Sequence, residues 1–165
     1  MAFSVTVFYD LKFLLLRLNI FMTPTLFGRW QTRLLLLATA GVLVSIPFAS
    51  GLIASNHGTV YFWILAYVSL FGLGWDIVYD QIQKYRWDRD WPAAYQLFAG
   101  IWELVFVFCG VKVFGFLPIP VPKELLPPHV FLLHYCVVWL AVFLTSQSLM
   151  RIVFVRWRFR GGQWL

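Results

Sequence analysis

The chain has 165 residues, of which 61% are hydrophobic and only 12% are charged, and its formal net charge is +6. Its mean hydropathy of +0.78 excludes a water-soluble domain of this size, because one core could not bury so much apolar surface. Aromatic residues make up 20% of the chain, as is typical of proteins that meet lipid headgroups. We therefore predict an all-α integral membrane protein, a bundle of four transmembrane helices.

Residues 1–30 form a separate N-terminal segment in this prediction. The stretch from Phe8 to Met22 is rich in Leu and Phe but is interrupted by charged residues such as Asp10 and Arg17. These side chains project to more than one side of a helix, which makes the stretch a poor membrane span. It fits an interfacial amphipathic helix that lies at the membrane surface, and Pro24 separates it from the first span.

The transmembrane domain is predicted to cover residues 31–155. A bilayer core of about 30 Å needs roughly 20 helical residues, and four apolar stretches have this length. The predicted spans are residues 34–55, 59–79, 92–117 and 130–155. A short polar turn joins the first two spans, a charged aromatic loop joins the second to the third, and a proline-rich link precedes the fourth. Residues 156–165 form a basic aromatic tail.

The basic residues predict the orientation of these spans. Of the 13 Lys and Arg residues, all but Lys112 and Lys123 fall on one side of the membrane in this arrangement. Lys and Arg are retained in the cytoplasm during insertion, so both termini are expected to be cytoplasmic. The expected location is a bacterial plasma (inner) membrane or a thylakoid membrane.

Polar side chains within the spans are the candidate functional residues. Glu103 lies near the middle of the third span, where a carboxylate that faced lipid would be very costly. Small and polar residues recur on one stripe of each span, so these stripes are expected to face the interior of the bundle. The resulting intramembrane polar cluster comprises Asp76, Asp80, Gln96, Glu103 and His134.

Two interpretations of this cluster remain open. The polar residues can serve only as hydrogen bonds between helices, or Glu103 can contact a proton, an ion or a ligand. Asp76 and Asp80 are one helical turn apart, a spacing that lets two carboxylates share a metal ion. Asp80 is equally well placed to pair with Lys84, four residues further on, and Asp76 could meet a loop arginine or Gln96.

The cytoplasmic loop and tail interleave basic and aromatic residues, a pattern that predicts contact with anionic headgroups or with a partner protein. A nucleic-acid partner is not expected, because the tail is short and lies against the membrane. The candidate docking residues are Lys84, Arg86, Trp87, Arg89, Trp91, Arg156, Trp157, Arg158 and Arg160.

Catalytic and metal-binding signatures are missing from the sequence. It contains no nucleophile elbow, HExxH motif or phosphate-binding glycine loop, and Cys109 and Cys136 lack the spacing of a zinc site. We predict neither catalytic residues nor a metal site, and the sequence leaves any cofactor unknown.

The segment from Gly74 to Glu103 contains Trp75-Asp76, Tyr79-Asp80, Arg86-Trp87-Asp88-Arg89-Asp90-Trp91-Pro92 and Trp102-Glu103. It resembles small uncharacterised multi-pass membrane proteins of bacteria, of cyanobacterial type. The resemblance implies no activity, and it is the reason for including the thylakoid among the expected membranes.

Three functions are compatible with these observations. The first is a non-enzymatic subunit, scaffold or assembly component of a larger membrane complex, which other membrane subunits or further copies of the chain would join. The second is an ion or proton pathway centred on Glu103. The third is a membrane enzyme that acts on a lipid-linked substrate through Asp76 and Asp80.

Overall fold

The structure is a computed structural model, and it describes residues 24–53, 58–87, 91–115 and 126–163, except for the side chains of residues 158 and 159. The predicted interfacial helix, Arg89 and most of the proline-rich link lie outside this part of the chain. The described residues are all-helical, and four of the helices are long and apolar enough to cross a membrane. The predicted fold class is confirmed to that extent.

Each of the four long helices matches one predicted span. They are α1 (Leu26–Ala49), α2 (Val60–Tyr85), α3 (Ala93–Phe114) and α4 (Pro128–Val153). Short π-helical stretches interrupt α1 at Leu37–Gly41 and end α3 at Cys109–Phe114. After α4, a 3-10 helix covers Trp157–Arg160.

The first helix begins at Leu26, well before the predicted start near residue 34. Thr25 caps it, because its side-chain oxygen accepts a hydrogen bond from the Gly28 amide at 3.1 Å. At the other end, Pro47 lies in the last turn, and Gly51 follows with a φ of 80°, a conformation that suits glycine and ends the helix. The difference in bounds is important, because it places Arg29 and Arg33 inside α1.

The second helix extends past the predicted end at residue 79 and continues to Tyr85. Lys84 and Asp80 form an ion pair of 2.7 Å within its last turns. Lys84 is also a cation near the helix C-terminus, where it interacts favourably with the helix dipole. The alternative in which Asp80 pairs with Lys84 is therefore the one that the structure contains.

A largely aromatic core holds the helices together at the end of the bundle where α4 begins. Phe48, Tyr61, Ile64 and Phe131 are almost fully buried there. The helix α1 contacts α2 and α4, and α3 contacts the same two helices. At Gly100 of α3, the lack of a side chain allows the indole of Trp139 from α4 to lie directly against the backbone.

Candidate functional site

The most prominent polar feature inside the bundle is an arginine with two carboxylate partners. Arg33 of α1 donates from Nε and Nη2 to the Asp76 carboxylate of α2, at 2.8 and 2.9 Å. It also donates from Nη1 and Nη2 to the Glu103 carboxylate of α3, at 2.8 and 2.9 Å. We call Arg33, Asp76 and Glu103 the ion triad. It links three helices through one side chain.

The ion triad is shielded from its surroundings. The side chains of Asp76 and Glu103 are only 5% and 7% exposed, and that of Arg33 is 19% exposed. Two bidentate contacts match the planar fork of a guanidinium, which arginine offers and lysine does not. The carboxylate charges, which would be costly in hydrocarbon if left alone, are thus paired within the protein.

Gly72 of α2 provides the space for Arg33. A Cβ at this position would overlap the guanidinium, whereas a Cβ at Gly74, two residues further along the same helix, meets open space. The two glycines therefore form a matched pair for testing the fit of the arginine.

We expect Gly72→Ala to lower the thermal stability of the purified protein, because the added methyl group displaces a largely buried guanidinium that donates four hydrogen bonds. Gly74→Ala should leave stability unchanged or raise it by up to about 1 kcal/mol, since alanine favours the helix. Thermal unfolding in mild detergent measures both changes. Equal effects of the two substitutions would show that Gly72 is not needed to seat Arg33.

A second set of polar contacts joins α3 to α4. Gln96 donates to Ser146 Oγ at 3.3 Å and accepts from Gln147 Nε2 at 3.1 Å. Arg151, one turn further along α4, donates to Gln147 Oε1 at 2.5 Å. This chain of side chains lies at the end of the bundle where α3 begins.

Arg29 lies one turn before Arg33 on α1, at the same end of the bundle. It donates from Nη2 to Gln83 Oε1 at 2.6 Å, and its guanidinium carbon lies 4.4 Å from the ring centre of Trp91. Its Nε is buried without a hydrogen-bond partner in the described part of the chain. Neither Arg29 nor Arg151 has a carboxylate within ion-pair distance among the described residues.

His134 belongs to a different polar group, far from the ion triad. Its Nε2 lies 2.9 Å from Ser45 Oγ, and its ring is 5.0 Å from the rings of both Phe48 and Tyr61. Ser45 is twelve residues beyond Arg33 on α1, a separation of roughly 18 Å along the helix. The structure therefore does not bring His134 together with Glu103.

An internal cleft connects these two regions. It has a volume of about 360 Å³ and is lined by side chains from all four helices, including Arg29, Arg33, Glu103 and His134. On α4 its lining extends from His134 to Arg151, which corresponds to a length of roughly 25 Å at 1.5 Å per residue. Apolar residues such as Leu65 and Val142 line the stretch between the charged end and His134.

The C-terminal segment packs across the charged end of this cleft. Gly161 O accepts hydrogen bonds from the Thr25 amide at 2.8 Å and from Thr25 Oγ1 at 3.1 Å. Thr32 Oγ1 donates to Gly162 O at 3.0 Å and accepts from the Trp157 indole at 2.9 Å. Gly28 touches the backbone of Gly161 and Gly162, and a side chain at position 28 would collide with that backbone. We call residues 157–163 the C-terminal clamp.

The structure thus divides the predicted intramembrane cluster into separate groups. Asp76 and Glu103 share Arg33, whereas Asp80 pairs with Lys84. Gln96 contacts α4 and lines the same cleft as the ion triad. Arg33 was not among the predicted cluster residues, because the predicted first span begins after it and leaves it on the cytoplasmic side. Two acidic residues in neighbouring spans, each without a Lys or Arg within four residues, were the signal that could have identified it.

The predicted docking residues also differ in their surroundings. Trp87 is 95% exposed, and Lys84, Arg156 and Arg160 are exposed as well. Trp91 and Trp157 instead make internal contacts with Arg29 and Thr32, and Arg86 lies over the ring of Tyr95 at 4.7 Å. Arg89 and the side chain of Arg158 lie outside the described residues. Some of the predicted docking residues therefore already contact other residues of the same chain.

Within the described ranges, no group of three or more His, Cys, Asp or Glu residues could hold a metal ion. Comparison with protein-family models gives no match, and comparisons with curated proteins and with solved structures give none either.

Proposed function

We propose that this chain is a small non-enzymatic membrane subunit that holds one elongated amphipathic molecule with an anionic head in its internal cleft. The observation that carries the proposal is the cleft itself, which has arginines at one end and an apolar wall further in. Its volume of about 360 Å³ lies within the usual range for small-molecule sites, roughly 300–1,000 Å³.

The shape of the cleft supports a chain-like ligand. Its lining spans roughly 25 Å along α4, so a volume of this size is distributed over a long, narrow space. Val138 and Val142 of α4 and Leu65 and Val68 of α2 form its apolar wall. A hydrocarbon chain fits such a wall, because burial of its methylene groups is favourable by about 0.8 kcal/mol each.

The charges at the other end support an anionic head. The cleft is lined by Arg29, Arg33 and Arg151, but by only two carboxylates, Asp76 and Glu103. Both carboxylates are engaged by Arg33. Arg29 and Arg151 provide the remaining positive charge, and a carboxylate or phosphate head would form charge-assisted hydrogen bonds with them.

The contacts of the acidic residues give less support to the other two functions. All the carboxylate oxygens of Glu103 and Asp76 accept hydrogen bonds from Arg33, an arrangement that favours fixed charge pairing over proton or ion transfer. Asp76 and Asp80 are bound by different cations. The proposal therefore uses neither an ion pathway through Glu103 nor a metal held by Asp76 and Asp80.

The finer features of the membrane arrangement are part of the same proposal. We place the charged end of the cleft at the cytoplasmic face of a bacterial inner or thylakoid membrane, where the loop and tail arginines meet anionic headgroups. Residues 8–22 would lie along that face as an amphipathic helix. Other membrane subunits, or further copies of the chain, would pack against the apolar outer surface of the bundle.

A cleft-filling substitution tests the proposal. We expect Val142→Phe to weaken binding of cis-parinaric acid, a fluorescent fatty acid, by at least about tenfold, because the larger ring occupies space that the chain needs. Val137→Phe is the matched control, since Val137 is on the same helix but is 38% exposed on its outer side. Fluorescence titration of the purified full-length proteins measures the affinities.

Thermal unfolding of the same samples checks that both variants are folded. If Val142→Phe does not fold, Arg29→Gln serves instead. It should weaken binding of the fatty acid, whereas the affinity for an uncharged alcohol of the same chain length should not change. Absence of binding by the wild-type protein would contradict the proposed function. Equal binding by the wild type and the cleft variants would place the ligand elsewhere.

A further inference from the structure

The charged side chains that line the cleft do not balance one another. Among the described residues of the lining they are three arginines and two carboxylates, which come from all four helices: Arg29, Arg33, Asp76, Glu103 and Arg151. With the histidine of the lining neutral, the net charge of the lining is +1. Charges at membrane depth are costly unless an opposite charge compensates them, so the lining is best compensated by one negative charge.

The ion triad is the reason why this net charge is small. Arg33 has one positive charge against the two negative charges of its carboxylate partners, so the triad as a whole is negative. Only Arg29 and Arg151 outweigh it, and Arg151 is exposed, so water and ions screen part of its charge. The neighbouring Asp80 and Lys84 pair with each other and add no net charge. The lining can therefore compensate one negative charge but not two.

From this charge balance we infer that the site selects a ligand head with a single negative charge, such as a carboxylate or a phosphodiester, over a doubly charged phosphate monoester. Such selection rests on the proposed function and narrows its ligand class to amphiphiles with a monoanionic head. A monoanion neutralises the lining, whereas a dianion leaves one negative charge uncompensated near Asp76 and Glu103. The selection depends on the sum of the charges, whichever nitrogen of an arginine the head contacts.

Hexadecyl sulfate and hexadecyl phosphate are a matched pair of probes. They have the same chain and a tetrahedral head, but at pH 8 the sulfate has one negative charge and the phosphate two, because the second pKa of a phosphate monoester is about 6. Each probe is used at this pH to displace cis-parinaric acid from the purified full-length protein. We expect the wild type to bind the sulfate at least about tenfold more tightly. Methyl hexadecyl phosphate, a phosphodiester with one charge, should bind as tightly as the sulfate.

Removal of one carboxylate from the lining should abolish this preference. Asp76→Asn raises the net charge of the lining from +1 to +2, while the amide oxygen still accepts a hydrogen bond from Arg33. Its affinity for hexadecyl phosphate should rise at least about tenfold, to that for the sulfate or above it. A merely structural role of Asp76 would instead weaken binding of all three probes. Glu103→Gln makes the same change of charge from α3, and it serves if Asp76→Asn does not fold.

Asp80→Asn is the matched control. It removes a carboxylate from the same helix one turn further on, but Asp80 lies outside the lining and pairs with Lys84. This variant should keep the wild-type preference for the sulfate.

Equal binding of hexadecyl sulfate and hexadecyl phosphate by the wild type would overturn the proposed selection, while leaving the proposed function intact. Binding of the methyl diester as weakly as the monoester would also overturn it, because the phosphorus head and not its charge would then decide. If neither cis-parinaric acid nor any of the three probes bound the wild type, the proposed function would fail, and the selection with it.

Discussion

Replacement of Arg33 by methionine should destabilise the folded protein by about 3–5 kcal/mol, the largest effect that we expect from a single substitution within the bundle. The carboxylates of Asp76 and Glu103, only 5% and 7% exposed, would lose the one cation that they share. Leaving buried charges unpaired costs more than the pair itself contributes, because the desolvation of those charges is no longer offset. Chemical or thermal unfolding in mild detergent measures the loss.

Two further variants separate this explanation from a simple loss of packing. Asp76→Asn leaves Arg33 paired with Glu103 and should cost only about 1 kcal/mol, since the amide oxygen still accepts a hydrogen bond. Adding Asp76→Asn and Glu103→Gln to Arg33→Met removes all three charges and should recover much of the lost stability. If the triple variant were no more stable than Arg33→Met, the ion triad would not be the source of the effect.

Substitution of Gly28 by valine should release the C-terminal clamp from the end of the bundle. Gly28 touches the backbone of Gly161 and Gly162, so a side chain there would separate the two segments. The hydrogen bonds that Thr25 and Thr32 form with this segment would then be lost. We expect trypsin to cleave at Arg156 or Arg160 at least about tenfold faster, because each lost bond contributes about 1 kcal/mol to the closed state.

The control is Phe27→Val, which changes the neighbouring residue of the same helix on a side that is 56% exposed. Its tail should be cleaved at the wild-type rate. The Gly28→Val protein should also bind and release cis-parinaric acid faster, since the clamp covers the charged end of the cleft. Wild-type cleavage kinetics in Gly28→Val would show that the clamp does not depend on this close approach.

The four long helices could be predicted from the sequence because apolar stretches of membrane length are unambiguous. The start of α1 could not be, for a physical reason. A hydropathy criterion begins the span after the last charged residue, Arg33, whereas the helix begins at the Thr25 cap. Arg33 is tolerated inside the helix only because of partners 43 and 70 residues away in the chain. Such distant compensation is not visible in a local window.

The structure places the residues of the predicted intramembrane polar cluster in separate groups. Glu103 was expected to face the bundle interior, and it is buried in the structure. His134 was grouped with it because both are polar residues within spans. Two residues in different spans can lie at different depths in the membrane, however. His134 lies near the start of α4, next to Ser45. Trp139 closely approaches Gly100, and the C-terminal clamp closely approaches Gly28. Both contacts depend on tertiary packing, which no local sequence pattern indicates.

The shared use of Arg33 by α2 and α3 has a consequence for how the chain is made. When the ribosome has produced α1 alone, Arg33 still lacks the two carboxylates that engage it in the folded protein, so the helix is a poorer substrate for lateral release into lipid. Asp76 emerges with α2 and Glu103 with α3. We therefore expect the early helices to leave the insertion machinery together, as a co-inserted group rather than one by one.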